Sequence, residues 1–356
     1  MHNKRLNTET LNYSLSSPRR GSYVNDGKSI FDVATRVLGE GAFGKVRPFN
    51  ETDEFLVKSE KLTSEEQWET LDREVKYLSI YFGPLSTLIF YFDDSGERLK
   101  KADLSQYRNE NLPIHYRLIK PNVKGVSLAT ALETYQDNVH NTLLLYINAA
   151  ACLMKFHSKG MIHGDVNAHN LIVNLNSENM HFEMDLIDFG FTYSVAEKNE
   201  FVPATTTSSC PAHWPPERKG IILGSDRKPP QSDVKQDVFS FGSMPRNTPL
   251  PKLLKENLNL KAIFNQMRAT DPADRPSMEE VLNILKQEYI KLYYPRLDIA
   301  EDVFDTKTVK TPEAKTAQSS SYSMARNDSF FADNHKASVE AKRAAIELVS
   351  AKYFLI

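Results

Sequence analysis

The hydrophobic pattern of this chain changes period close to residue 120, and that change limits its possible folds more than any other feature. Before it, apolar or alternating runs at 31–37, 44–49, 54–58, 88–92 and 115–119 have the length and composition of strands. One helical pattern interrupts them, with Trp68, Leu71, Val75 and Leu78 recurring within 64–81. A charged stretch at 93–113 separates the last two strands and is too long for a tight turn. After Gly125 the pattern turns helical. Residues 141–157 carry Leu143, Leu144, Ile147, Ala150, Leu153 and Phe156 and are apolar around most of the circumference, as in a buried helix. A second helix at 278–293 has Val281, Leu282, Ile284 and Leu285 in its apolar stripe. Strands gathered in the first part and helices in the second predict an α+β fold of two lobes. The first lobe is small and β-rich with one main helix; the second is larger and mostly helical.

Composition excludes several classes. Net charge is −2, with 44 basic and 46 acidic residues, so nothing marks a nucleic-acid or membrane-surface protein. No stretch reaches the ~20 apolar residues of a membrane span, and residues 1–17 lack the apolar core of a secretory signal. The chain is expected to be soluble, in a cytoplasm or delivered into a host-cell cytosol. Of its two cysteines, Cys152 lies in an apolar run and reads as core, and Cys210 stands beside Pro211 in a loop. Their spacing suggests neither metal nor a disulfide framework, which fits a reducing compartment.

Four strings carry chemistry. The first is Gly39-Glu40-Gly41-Ala42-Phe43-Gly44-Lys45-Val46. Without Cβ atoms, Gly39, Gly41 and Gly44 let backbone N–H groups approach phosphate oxygens closely. The second is Val57-Lys58, a cation closing an apolar strand. The third, His163-Gly164-Asp165-Val166-Asn167-Ala168-His169-Asn170, follows the buried helix and precedes the strand-like Leu171-Ile172-Val173. Its Asp165 and Asn170 offer oxygen ligands suited to a hard cation. The fourth is Asp188-Phe189-Gly190, after the apolar Met184-Asp185-Leu186-Ile187.

In this order and at these separations, the strings resemble the eukaryotic-type protein kinase family over residues 30–293. The resemblance implies a two-lobed kinase fold using ATP and Mg²⁺. Val46 would cover the adenine ring and Lys58 reach the α- and β-phosphates. Glu74, within Glu74-Val75-Lys76-Tyr77-Leu78, would hold Lys58, with Glu66 and Glu69 as alternatives. Asp165 would orient the acceptor hydroxyl and take its proton. Asn170 and Asp188 would hold Mg²⁺. His163 reads as a packed scaffold residue, His169 as a surface residue and Asp185 as structural or exposed. Lys120 would stand near the position guarding the adenine pocket, with Pro121 and Asn122 in the hinge.

Three further strings separate protein kinases from small-molecule kinases of the aminoglycoside and choline type, which share the His-Gly-Asp loop. They are Pro215-Pro216-Glu217, Asp237-Val238-Phe239-Ser240-Phe241-Gly242, and Asp271-Pro272-Ala273-Asp274-Arg275-Pro276-Ser277. They imply a Glu217–Arg275 ion pair and an Asp237 helix anchoring the catalytic loop. The implied activity is protein serine/threonine kinase. A small-molecule kinase, or a pseudokinase acting as a nucleotide-binding scaffold, remains the alternative.

The family pattern is broken in places. Gly164 stands where many kinases have an arginine that reads an activation-segment phosphate, so activity without that phosphorylation is expected. Asn167 replaces the lysine usual in Ser/Thr kinases. The span from Asp237 to Arg275 is short, which resembles effector kinases that intracellular bacteria deliver into host cells. Thr205-Thr206-Thr207-Ser208-Ser209, and the hydroxyls of 319–323, are autophosphorylation candidates. The implied organisation is a flexible arm (1–29), a kinase N-lobe (30–119), a kinase C-lobe (120–293) and a polar tail (294–356). The tail ends in a short helix over about 338–352. The partners are ATP and a protein substrate, without nucleic acid or a membrane span; an activating partner stays open.

Overall fold

A computed structural model describes residues 23–25, 30–32, 38–41, 44–49, 54–84, 86–97, 99–110, 112–176, 181–197, 211–222, 233–246, 248 and 256–293. The tail, its helix and the two hydroxyl clusters lie outside these residues.

The first lobe is an antiparallel sheet packed against one helix. Strands β1 (Tyr23–Asn25) and β2 (Ile30–Asp32) form a separate ribbon. Its first strand lies within the stretch that the sequence assigns to the N-terminal arm. The main sheet comprises β3 (Gly39–Gly41), β4 (Gly44–Phe49), β5 (Phe55–Leu62), β6 (Leu88–Phe92) and β7 (Ile114–Pro121), in the order β3-β4-β5-β7-β6. Between β5 and β6 runs α1 (Glu65–Phe82), matching the predicted helix. Ser64 caps it by accepting from the Gln67 N–H, while Gln67 Oε1 accepts from the Thr63 N–H at 2.6 Å. Trp68, Leu71, Tyr77, Leu78 and Tyr81 form its buried face. Inside the charged insert lies α2 (Leu104–Asn109), which no hydrophobic period announces.

The strands run further than their apolar runs. Lys58 does not end β5, since Ser59, Glu60, Lys61 and Leu62 continue the ladder against Arg117, Tyr116, His115 and Ile114. The backbone supplies those bonds whatever the side chains are. Lys120 and Pro121 likewise remain in the sheet, opposite Leu56 and Phe55, so Pro121 is not yet hinge.

The second lobe opens with β8 (Val126–Ser127), α3 (Leu128–Thr134) and the central α4 (Val139–His157). Short strands follow: β9 (Met161–Ile162), β10 (Leu171–Asn176), β11 (His181–Leu186) and β12 (Tyr193–Ser194). Then come α5 (Pro216–Ile222), α6 (Lys235–Ser243), α7 (Leu258–Met267) and α8 (Met278–Tyr293). The α4 helix is the lobe's axis, buried along Leu143, Leu145, Tyr146, Ile147, Ala150, Leu153 and Phe156. Cys152 is buried on it, as expected of a core residue. A single hydrophobic core joins the lobes through Tyr81 of α1, Phe156 of α4 and Phe189. Among the described residues no helix is long and apolar enough to cross a membrane.

Candidate active site

Sheet register assembles the first half of the site. Gly39 pairs with Val46 and Gly41 with Gly44, which makes the glycine string a β3–β4 hairpin. On the other side of β4, Val46 pairs directly with Lys58. The glycine backbone, the apolar Val46 and the Lys58 ammonium therefore share one corner of the sheet. Lys58 Nζ donates to Glu74 Oε2, and both side chains are buried. Neither alternative glutamate takes this place; Glu69 is exposed and Glu66 only half-buried. Burial alone would lower the lysine pKa, but the Glu74 and Asp188 carboxylates outweigh it and hold the pKa above its ordinary value. Burial would raise the carboxyl of Glu74, yet the ammonium groups of Lys120 and Lys58 bring it down to about 2. Lys120, expected near the position guarding an adenine pocket, turns to this pair: its Nζ donates to Glu74 Oε1 at 2.8 Å.

The second half hangs on α6. Asp237 is fully buried, with Oδ2 accepting from the His163 N–H at 2.7 Å and Oδ1 from the Gly164 N–H at 2.9 Å. His157 Nε2 also meets Asp237 Oδ2, at 2.9 Å. These bonds fix the loop from His163 to Asn170 as the sequence predicts. His163 is a scaffold residue: Nε2 donates to the Ile187 carbonyl at 3.0 Å and Nδ1 accepts from the Asp165 N–H at 3.3 Å. His169 is exposed. Asp185 accepts from the Tyr81 hydroxyl at 3.1 Å, a structural tie between α1 and β11.

Both oxygens of Asp165 are engaged. Oδ2 accepts from Asn170 Nδ2 at 2.9 Å and Asn167 Nδ2 at 3.2 Å. Oδ1 accepts from His213 Nε2 at 2.8 Å and Trp214 Nε1 at 3.0 Å. Burial would raise this carboxyl, but the His213 bond and then the Trp214 bond outweigh it, so the group stays ionised below its ordinary range. Asn170 spends its amide N–H groups on Asp165, which leaves Oδ1 as the side-chain atom for a hard cation.

Asp188 takes φ +63°, a left-handed conformation uncommon for a residue with a side chain and enriched at functional sites. The following Phe189 is wholly buried between Tyr81, Phe156 and His163, with ring centroids 5.3, 5.8 and 5.7 Å away. That anchor places Asp188 close enough to Lys58 to raise the lysine pKa. Among the described residues no three His, Cys, Asp or Glu side chains could hold a metal alone. The oxygens of Asp188 and Asn170 suit Mg²⁺, which takes one or two protein carboxylates and completes its shell with phosphate and water.

A model of the protein kinase domain matches residues 33–247, more than half of the chain. The chain belongs to the protein kinase family. Among its relatives, a probable LRR receptor-like serine/threonine-protein kinase of Arabidopsis thaliana is 25% identical over 213 residues. That alignment covers 58% of this kinase and 21% of the relative. A probable serine/threonine-protein kinase of Dictyostelium discoideum is 27% identical over 164 residues, 40% of this kinase and 14% of the relative. This kinase therefore matches about a fifth or less of either protein's length.

The structure also brings in residues that the motifs did not single out for the site. His213 and Trp214 reach Asp165 from just before Pro215-Pro216-Glu217, and Arg218 lies just after it. The Arg218 guanidinium donates to the Gly164 carbonyl and lies 3.7 Å from the Trp214 ring centroid. Their one sequence signal was adjacency to that motif. Glu217 itself meets Arg275 as expected, with bonds of 2.6 and 2.8 Å.

Proposed function

We propose that this kinase transfers the γ-phosphoryl group of ATP, bound with Mg²⁺, to Ser or Thr hydroxyls of a protein substrate. The observation that carries the reading is the buried Lys58–Glu74 pair, whose ammonium also feels the Asp188 carboxylate, together with a loop that keeps Asp165 ionised. In this scheme Gly39, Gly41 and Gly44 approach the phosphates by backbone, Val46 covers the adenine and Lys58 positions the phosphates. Glu74 holds Lys58, and Asp165 orients the acceptor hydroxyl and receives its proton once one of the four donors on its oxygens gives way. Asn170 and Asp188 would hold Mg²⁺, which neutralises charge on the phosphoryl oxygens when bound. The Ser/Thr assignment is supported by the names of the two relatives. The lobes are proposed to divide at residues 119 and 120 and to be flanked by the 1–29 arm and the 294–356 tail. The sheet itself runs two residues further, to Pro121.

The test is transfer of labelled γ-phosphate from Mg·ATP to the chain itself, a generic basic protein, amino alcohols and aminoglycosides. Label on protein Ser or Thr is expected. Asp165→Ala should lower it by about 10²–10⁴-fold while leaving ATP binding intact. Label confined to the small molecules, or none from a folded chain that binds ATP, would overturn the proposal.

A further inference from the structure

Glu74 is almost wholly shielded from water, and its two oxygens have different lysine partners. Lys58 takes Oε2; Lys120, at the end of β7, takes Oε1 at 2.8 Å. The register explains the convergence. Leu56 pairs with Lys120 and Lys58 with Leu118, so the two lysines are diagonal neighbours on one face of the sheet. Glu60 and Tyr116 share this region, with the Tyr116 hydroxyl donating to Glu60 Oε2 at 3.2 Å.

A buried carboxylate keeps its charge and its place only while it is paired. Nucleotide phosphates arriving at Lys58, as the reading above requires, share its three N–H donors with Glu74 and draw part of its charge away from that carboxylate. Lys120 sits on the other oxygen. We propose that Lys120 is a positioning residue, which keeps Glu74 paired and α1 turned into the cleft while Lys58 serves the phosphates. Glu74 lies in the third turn of α1, so its two ion pairs tie the helix to two adjacent strands, β5 and β7. The low pKa of Glu74 agrees, since Lys120 is the largest charge favouring ionisation.

The test is a double-mutant cycle of Lys120→Met and Glu74→Gln in the full chain, with Lys120→Arg as the conservative variant and Lys120→Gln in reserve should Lys120→Met fold poorly. The readouts are amide exchange of α1, without nucleotide and with a non-hydrolysable ATP analogue, and kcat and KM for ATP. Lys120→Met should speed exchange around Glu74 and lower kcat, each by about tenfold. KM should move less, Lys120→Arg should recover most of the loss, and Lys120→Met should add little once Glu74 is Gln. A raised KM at unchanged kcat, or an equal loss in the Glu74→Gln background, would overturn the inference. Exchange needs no turnover. A chain that couples the two sites by exchange yet transfers no phosphate supports this inference and removes the phosphoryl-transfer reading. A chain that transfers phosphate with strictly additive variants does the reverse.

Discussion

Gly164 shows how differently one residue reads in sequence and in space. Along the chain it is a missing arginine; in the fold its φ is +75°, and a Cβ there would lie 2.4 Å from the Phe191 carbonyl oxygen. No side chain fits without moving backbone, and Arg218 already binds the Gly164 carbonyl. Gly164→Ala should therefore destabilise the protein by at least about 1–3 kcal/mol, read as a lowered Tm or denaturant midpoint. Lys58, Glu74, Asp165, Asn170 and Asp188 stood out as candidates because phosphoryl transfer asks for fixed residue types at nearly fixed spacing. What surrounds them was not. Glu74 also makes a prediction about acid. Its carboxyl is held at about 2 in the fold against an ordinary 4.5, so its pairing stabilises the protein above pH 4.5 for as long as the two lysines stay protonated. That stabilisation declines as the pH falls from 4.5 towards 2, by about 3 kcal/mol in all. Denaturant titrations should show the decline, and Glu74→Gln should flatten it within this window.

Among the elements, α1 is tied down on both its inner and its outer face. Glu74 ties its inner face to β5 and β7, and Tyr81 packs on Phe189. Outside, Arg108 of α2 forms ion pairs with Glu65 and Asp72. Past β12, Glu197 meets Lys76 and the Tyr77 hydroxyl, with Arg73 at 3.8 Å. The outer pairs are exposed and individually weak. Glu197→Gln should lower global stability by less than about 1 kcal/mol, while α1 amides exchange faster. The helix itself was plain from its apolar period; α2 was hidden because it is short, buries nothing fully and works through charge. The Glu217–Arg275 clamp differs from the outer pairs, since the Arg275 side chain has no exposure and also donates to the Ala269, Lys235 and Thr270 carbonyls. Arg275→Ala should cost about 3–5 kcal/mol in denaturant unfolding. Lysine should not restore it, for an ammonium cannot reproduce the planar fork.

For the whole molecule, α1 is held inward, the loop from His163 to Asn170 is fixed by Asp237 and Arg218, and Gly164 offers no side chain that could read a phosphate. Treatment with phosphatase should accordingly leave most of the activity, measured as transfer before and after complete dephosphorylation; loss of most of the rate would contradict it. The order of motifs and the switch from strand to helical period determined the family, the two lobes and the residues expected to do the chemistry. Those features are local, set by neighbours along the chain. Only the tertiary structure decided that Lys120 shares Glu74 from 46 residues away, and that His213 covers Asp165 from 48. Such partners are chosen by strand register and by where a loop folds back, and neither leaves a pattern in adjacent residues.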